Sequence, residues 1–168
     1  MKKLYLFASA FLCLAGAQVA GAQQSSNPGL RAKAAIQFTR VLTEAATAYP
    51  PQLSHETDAN GTIESPFRID EKGILSVTFR YPVGESYSLT RVSVPVDAIK
   101  TVFNDYYVGF ECGAEVVTIA EGEVGSRELK NTYTTMMFHI ARPGDGPQSE
   151  KVKTKLEQGL QTFRENYK

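Results

Sequence analysis

The stretch that decides the fold is IESPFRIDEKGILSVTFRY, residues 63–81. Apolar residues fall mostly on odd positions on both sides of residues 71–73, which is the pattern of two half-buried strands. Residues 71–73 read Glu-Lys-Gly, which suits a hairpin whose glycine takes the left-handed conformation. The alternation and the turn then predict one common register. Folding about Lys72 pairs Ile69 with Leu75, Phe67 with Val77, and Ser65 with Phe79.

A second turn is predicted around Gly84. Folding there pairs Tyr81 with Tyr87 and Phe79 with Leu89. The apolar positions then change from odd to even between Leu89 and Val92. One extra residue near Thr90 and Arg91 restores the face, so the pattern predicts a β-bulge at that point.

The remaining chain predicts one turn of helix and several more strands. Residues 97–103 are expected to form a helical turn capped by Asp97, with Ile99 and Phe103 pointing inwards. Downstream, apolar residues alternate through 106–112, 117–119 and 136–140. Together with the hairpins, these segments predict about six or seven strands.

Amphipathic helices are predicted at both ends of this strand region. The first spans residues 28–49, with Asn27 as N-cap and Pro28 at the first helical position. The second spans residues 148–167. Each carries a stripe of apolar residues three and four positions apart. The stripes are Leu30, Ala34, Phe38, Val41, Leu42, Ala45 and Tyr49 in the first helix, and Val152, Leu156, Leu160, Phe163 and Tyr167 in the second.

Separate blocks of strands and helices are typical of an α+β domain. We therefore expect an N-terminal helix, an antiparallel meander sheet curved into a roll, and a C-terminal helix packed on it. This element order resembles the pleckstrin-homology-type roll. The resemblance is one of order alone, and it implies a fold and no function.

Residues 1–22 have the three parts of a secretory signal peptide. Lys2 and Lys3 are followed by an apolar run to about Ala15, and Ala20-Gly21-Ala22 supplies small residues for cleavage. The run is shorter than the roughly 20 residues of a membrane span, so no transmembrane segment is expected after cleavage. The sequence predicts one exported domain, residues 23–168, in the periplasm or outside the cell.

The charges are balanced, with 18 basic and 18 acidic residues. A basic face typical of nucleic-acid binding is therefore not expected. His55, Glu56, Asp58 and His139 lack the close spacing of metal ligands, so neither a metal nor another cofactor is predicted. The expected partner is a protein or a small ligand in the envelope or outside the cell, of a kind that the sequence leaves open.

Cys112 and His139 are the residues that resemble a nucleophile and its base. Cys112, however, falls on the apolar positions of its strand, which favours a buried thiol without a chemical role. His139 alternates with the apolar residues Phe138 and Ile140, which favours a half-exposed position on a sheet.

The alternative to a catalytic function is a binding function that uses tyrosine side chains. In the predicted register, Phe67, Phe79, Tyr81 and Tyr87 share one sheet face, which favours a place in the core under the helices. The alternative is that Tyr81 and Tyr87 form an open platform for a ligand or partner, with Tyr106 and Tyr107 at its rim. The leading hypothesis is therefore an exported, non-catalytic binding or interaction module. The alternatives are a small envelope enzyme using Cys112 with His139, and a lipocalin-like or inhibitor-like ligand carrier.

Overall fold

The computed structural model describes residues 28–52 and 59–167, and these form an α+β fold. Helix α1 spans Pro28–Ala48 and helix α2 spans Pro147–Tyr167. Between them, the described residues form eight antiparallel strands. They are β1 Thr62–Ile69, β2 Ile74–Val83, β3 Ser86–Pro95, β4 Ile99–Asp105, β5 Tyr107–Cys112, β6 Val117–Gly122, β7 Leu129–Thr135 and β8 Met137–Ala141.

The predicted α+β class and order of elements are confirmed, but the strands form two sheets instead of one. Five strands pair in the order β1-β2-β3-β6-β7, and three pair in the order β4-β5-β8. The chain crosses between sheets after β3, β5 and β7. The pleckstrin-homology-type roll is not confirmed.

The first hairpin has the predicted turn. Gly73 has φ 76°, in the left-handed region, and the Asp70 carboxylate accepts hydrogen bonds of 2.9 Å from the backbone N–H groups of Lys72 and Ile74. Ile69 pairs with Leu75 as predicted.

Farther from this turn, the predicted register was wrong. Ser65 pairs with Thr78, and Ile63 takes the place opposite Phe79. Pro66 lies at this irregularity. A proline has no N–H to donate to the ladder of hydrogen bonds, so regular pairing is interrupted there.

In the second hairpin, the register differs from the prediction by one residue. Val83 pairs with Ser86, so the turn has two residues, and the register then runs without interruption to Ile74 opposite Pro95. The predicted Tyr81–Tyr87 and Phe79–Leu89 pairs and the predicted bulge were therefore wrong. Their actual partners are Ser88 for Tyr81 and Thr90 for Phe79.

The predicted helical turn at residues 97–103 was also wrong for most of its length. A short 3-10 helix covers Val96–Ala98, and β4 begins at Ile99. Val102 is buried and Phe103 is half-buried, so the strand alternation decides which side chain points inwards. Strand β7 was not predicted, because its side chains are mostly exposed on both faces and show no apolar alternation.

The apolar stripes of both helices were largely predicted correctly. Their central residues are buried, whereas Leu30 at the start of α1 is exposed. The helices pack against each other. In addition, α1 contacts β1 and β8, and α2 contacts β4 and β5.

Six phenylalanines connect the two sheets and the two helices. We call them the phenylalanine chain, and successive rings lie 4.7–6.3 Å apart between centroids. Offset and edge-on contacts at such distances are favourable for aromatic rings. In order, the chain is Phe79 of β2, Phe67 of β1, Phe138 of β8, Phe110 of β5, Phe38 of α1 and Phe163 of α2.

Shortening one member of the phenylalanine chain is expected to destabilise the whole domain. Phe38→Ala should lower the free energy of unfolding by about 3–5 kcal/mol, because it removes buried surface and leaves a cavity. Urea unfolding measures the change. Ile36→Ala on the same helix is the control, since Ile36 is 69% exposed, and its effect should stay below about 0.5 kcal/mol. Equal losses in the two variants would contradict the role of the chain.

Candidate functional site

Residues of both sheets line a cavity of about 140 Å³. We call it the tyrosine cavity. The side chains important to its chemistry are Tyr81, Thr90, Glu121, Tyr133, Met137 and His139.

Both sheets contribute to this cavity. The five-stranded sheet supplies Tyr81 from β2, Thr90 from β3, Glu121 from β6 and Tyr133 from β7, whereas β8 of the small sheet supplies Met137 and His139. Two of the predicted residues, Tyr81 and His139, therefore line the same cavity.

Tyr81 is the buried tyrosine of the cavity. Its side chain is 5% exposed. Burial raises the pKa of Tyr81 well above its ordinary value, and the nearby Tyr107, Glu121 and Tyr133 raise it further. The Tyr81 phenol is therefore neutral at physiological pH and offers a hydroxyl and an aromatic face.

Glu121 gives the cavity its acidic group. The Tyr133 hydroxyl donates a 3.1 Å hydrogen bond to the Glu121 carboxylate. Partial burial, the charge of Glu121 and this hydrogen bond raise the pKa of Tyr133. None of the described residues lining the cavity is a lysine or arginine. The basic side chain among these lining residues is the imidazole of His139.

Thr90 lies directly opposite Glu121 on the neighbouring strand. The residue is only 7% exposed, and its hydroxyl oxygen has no hydrogen-bond partner among the described residues. A buried hydroxyl without a partner costs about 1–3 kcal/mol. Such a group in a cavity calls for a partner that residues 28–52 and 59–167 do not supply.

His139 forms part of the exposed side of the cavity. Its ring lies 4.8 Å from the Tyr107 ring and 5.4 Å from the Phe103 ring, measured between centroids. The partner of His139 across the sheet is Gly109. A Cβ atom at Gly109 would lie 2.1 Å from the Phe138 carbonyl oxygen, so a glycine is needed for β8 to approach β5 here.

The four predicted tyrosines do not form one platform. Tyr106 is an exposed turn residue with φ 73°, and its ring packs edge-on to Tyr107 at 5.8 Å. Tyr87 is on the sheet face opposite to Tyr81, with the Arg80 guanidinium 3.9 Å above its ring. The prediction that Tyr81 and Tyr87 share a face was therefore wrong, because the turn has one residue fewer than assumed.

Cys112 and His139 are not brought together. Cys112 is 1% exposed and belongs to the core on the β5 face that carries Phe110. His139 pairs with Gly109, whose position belongs to the other face of β5. Burial raises the pKa of the Cys112 thiol, and the charge of Glu111 raises it further. The thiol is thus poorly placed to act as a nucleophile.

Thr90, Glu121 and Tyr133 were not predicted to belong to a site. The segment Thr132–Thr135 is rich in threonine and tyrosine, which favours a strand and could have indicated β7. For Thr90 the sequence carries no comparable signal, because its role depends on which residue lies across the sheet.

His55, Glu56 and Asp58, which were weighed as metal ligands and not predicted to be a site, lie outside the described residues, as do residues 1–22, the predicted signal peptide. Within residues 28–52 and 59–167, no three His, Cys, Asp or Glu side chains group together as a metal site would require. Neither of the two long helices described is apolar enough over its length to cross a bilayer.

The buried phenol of Tyr81 predicts a loss of stability at alkaline pH. Its pKa is raised in the folded state, so the folded protein holds this proton more tightly than the unfolded chain. The stabilisation is complete below about pH 10, the ordinary tyrosine value, and declines above it. Above about pH 10, the free energy of unfolding should fall less steeply with rising pH for Tyr81→Phe than for the unmodified chain. Equal slopes would contradict the prediction.

The Cys112 thiol is expected to be unreactive in the folded protein. In a Cys13→Ser background, a thiol reagent should react at least about a thousandfold more slowly than with the unfolded chain, because reaction requires opening of the core. The same chain in denaturant is the control. Rapid reaction without denaturant would show that the thiol is accessible.

The chain matches no known protein family, no curated protein and no solved structure in comparisons of sequence and fold.

Proposed function

We propose that this protein is a non-catalytic binding module, and that its ligand is a small molecule held in the tyrosine cavity. The observation that carries this proposal is the buried Thr90 hydroxyl, which has no hydrogen-bond partner in the described part of the chain and lies opposite Glu121 in the strand pair. A ligand supplying the missing hydrogen bond would remove the cost of that unpaired group.

The lining favours a small organic cation. Glu121 is the acidic residue, and Tyr81 and Tyr133 add electron-rich ring faces, which attract ammonium groups. Directly paired strand residues have Cβ atoms about 5 Å apart, so one ammonium group can reach both Glu121 and Thr90. It would donate one hydrogen bond to the Glu121 carboxylate and another to the Thr90 hydroxyl.

The size of the cavity limits the ligand. A volume of about 140 Å³ is below the roughly 300–1,000 Å³ of sites for drug-sized ligands. It therefore suits a single small amine better than the larger apolar cargo of a lipocalin-like carrier.

The placement of Cys112 supports binding over catalysis. The enzyme hypothesis needs the Cys112 thiol within hydrogen-bond reach of His139. These residues are instead on opposite faces of the small sheet, and the thiol belongs to the core.

The proposed place of action is outside the cytoplasm. This part of the proposal depends on the signal-peptide pattern of residues 1–22, with its basic start, apolar run and Ala20-Gly21-Ala22 cleavage sequence.

The experiment compares two buried threonines. Thr90→Val removes the unpaired hydroxyl and should raise the free energy of unfolding by about 1 kcal/mol. Thr78→Val is the matched control, because Thr78 is 4% exposed and its hydroxyl accepts a hydrogen bond from Arg91. The free energy of unfolding of this control should fall by about 1 kcal/mol.

The same variants then test binding. Methylammonium, ethylammonium and their neutral isosteres are titrated into the full chain, and binding is followed by tyrosine fluorescence and by the NMR signals of Tyr81. The cations should bind in preference to the isosteres. Thr90→Val should lower the affinity for the cations about tenfold, which is the equivalent of one charge-assisted hydrogen bond. Thr78→Val should bind them like the unmodified chain. Absence of binding, or equal binding by Thr90→Val, would refute the proposed site.

A further inference from the structure

The face of the five-stranded sheet that points away from the core carries a second polar site. Strands β1, β2 and β3 form a depression of about 280 Å³ there. We call it the arginine groove. Its polar lining residues are Ser65, Arg68, Ser76, Thr78 and Arg91.

The strand register brings the two arginines to this face. Arg68 pairs with Ser76 across β1 and β2, and Arg91 pairs with Thr78 across β2 and β3. Their neighbours Val77 and Phe79 on β2 belong to the buried core. Successive strand residues point to opposite faces, so Ser76 and Thr78 share the face turned away from that core.

Hydroxyl groups orient both guanidinium groups. The Nε–H of Arg91 donates a 3.2 Å hydrogen bond to the Thr78 hydroxyl, which is nearly buried, and the Nε–H of Arg68 donates a 3.4 Å hydrogen bond to the Ser76 hydroxyl. The terminal Nη groups of both arginines have no hydrogen-bond or carboxylate partner among the described residues. Their donors are therefore available to a ligand.

Arg80, on the same face, shows the contrasting arrangement. It lies 2.8 Å from the Glu64 carboxylate, and Arg127 lies 3.6 Å from the same group. The hydrogen bond from Arg80 and the positive charges of both arginines hold the pKa of Glu64 below its ordinary value. Glu64 is therefore already paired, and no carboxylate lines the arginine groove among the described residues.

We propose that the arginine groove binds an oxyanion: a phosphate, sulfate or carboxylate group of a small ligand. Guanidinium groups present parallel N–H donors that match the paired oxygens of such groups. The hydroxyls of Ser65 and Ser76 offer further donors at the same place. This site lies on the opposite face of the sheet from the tyrosine cavity and is independent of it.

The test is an NMR titration of the full chain with inorganic phosphate at constant ionic strength, with chloride as the balancing anion. The Nε–H signals of Arg68 and Arg91, assigned from Arg→Lys variants, should shift and saturate together. Arg40 is the internal reference, because it is exposed on α1 and distant in sequence from the groove. Its signal should not follow the same saturation curve.

Substitutions test whether the NMR shift caused by phosphate comes from binding in the arginine groove. Arg91→Gln should weaken phosphate binding about tenfold, the equivalent of a charge-assisted hydrogen bond. Arg91→Lys keeps the charge but loses the paired donors, so it should also weaken binding. Arg40→Gln changes the net charge equally and should leave the affinity unchanged. If Arg91→Gln fails to fold, as judged by circular dichroism, Arg68→Gln replaces it.

Parallel titrations with sulfate and acetate distinguish the possible ligands. Preference for phosphate and sulfate indicates a tetrahedral oxyanion, and preference for acetate indicates a carboxylate; either result supports the groove. The proposal is overturned if none of the three anions gives a saturable shift. It is also overturned if Arg40→Gln weakens binding as much as Arg91→Gln.

Discussion

The packing of the phenylalanine chain is the contact on which the rest of the structure depends. Phe67 and Phe79 belong to the five-stranded sheet, and Phe110 and Phe138 belong to the small sheet. Phe67 contacts Phe138, so the two sheets are joined through aromatic side chains. Phe38 of α1 contacts Phe110 of the small sheet and Phe163 of α2, so the same chain of rings joins both helices to the sheets. Since protein interiors are packed as densely as crystals, these rings fix the separation of the layers.

The tyrosine cavity follows from that separation. Its residues come from both sheets, so their distances depend on how the sheets pack and not on any single strand. Close to the phenylalanine chain the space between the sheets is filled by apolar rings. At the Tyr81 end, polar side chains line the space, and the buried Thr90 hydroxyl has no hydrogen-bond partner among the described residues. A polar group in that position is costly to the free protein, and this is the physical basis for expecting a ligand there.

The two faces of the five-stranded sheet have opposite chemistry because side chains alternate along each strand. Along β3, Val92 and Val94 face the core, and Arg91, directly before Val92, points away from it. A shift of one residue in the pairing would exchange these faces. The two-residue turn before Ser86 sets this register, and it thereby decides that Thr90 lines the tyrosine cavity while Arg91 lies in the arginine groove.

The sequence by itself determined both helices, the first hairpin turn and most of the buried residues, because periodicity and turn chemistry act over a few neighbouring residues. It also indicated that Cys112 is buried. Only the tertiary structure decided that the strands divide into two sheets, that β4 replaces a helical turn, and that Glu121 and Tyr133 meet Tyr81 in one cavity. Alternation shows that a segment is a strand, but it does not name the strand's partner. Partner choice depends on packing between residues far apart in the chain, and each site of this protein is built from such pairs.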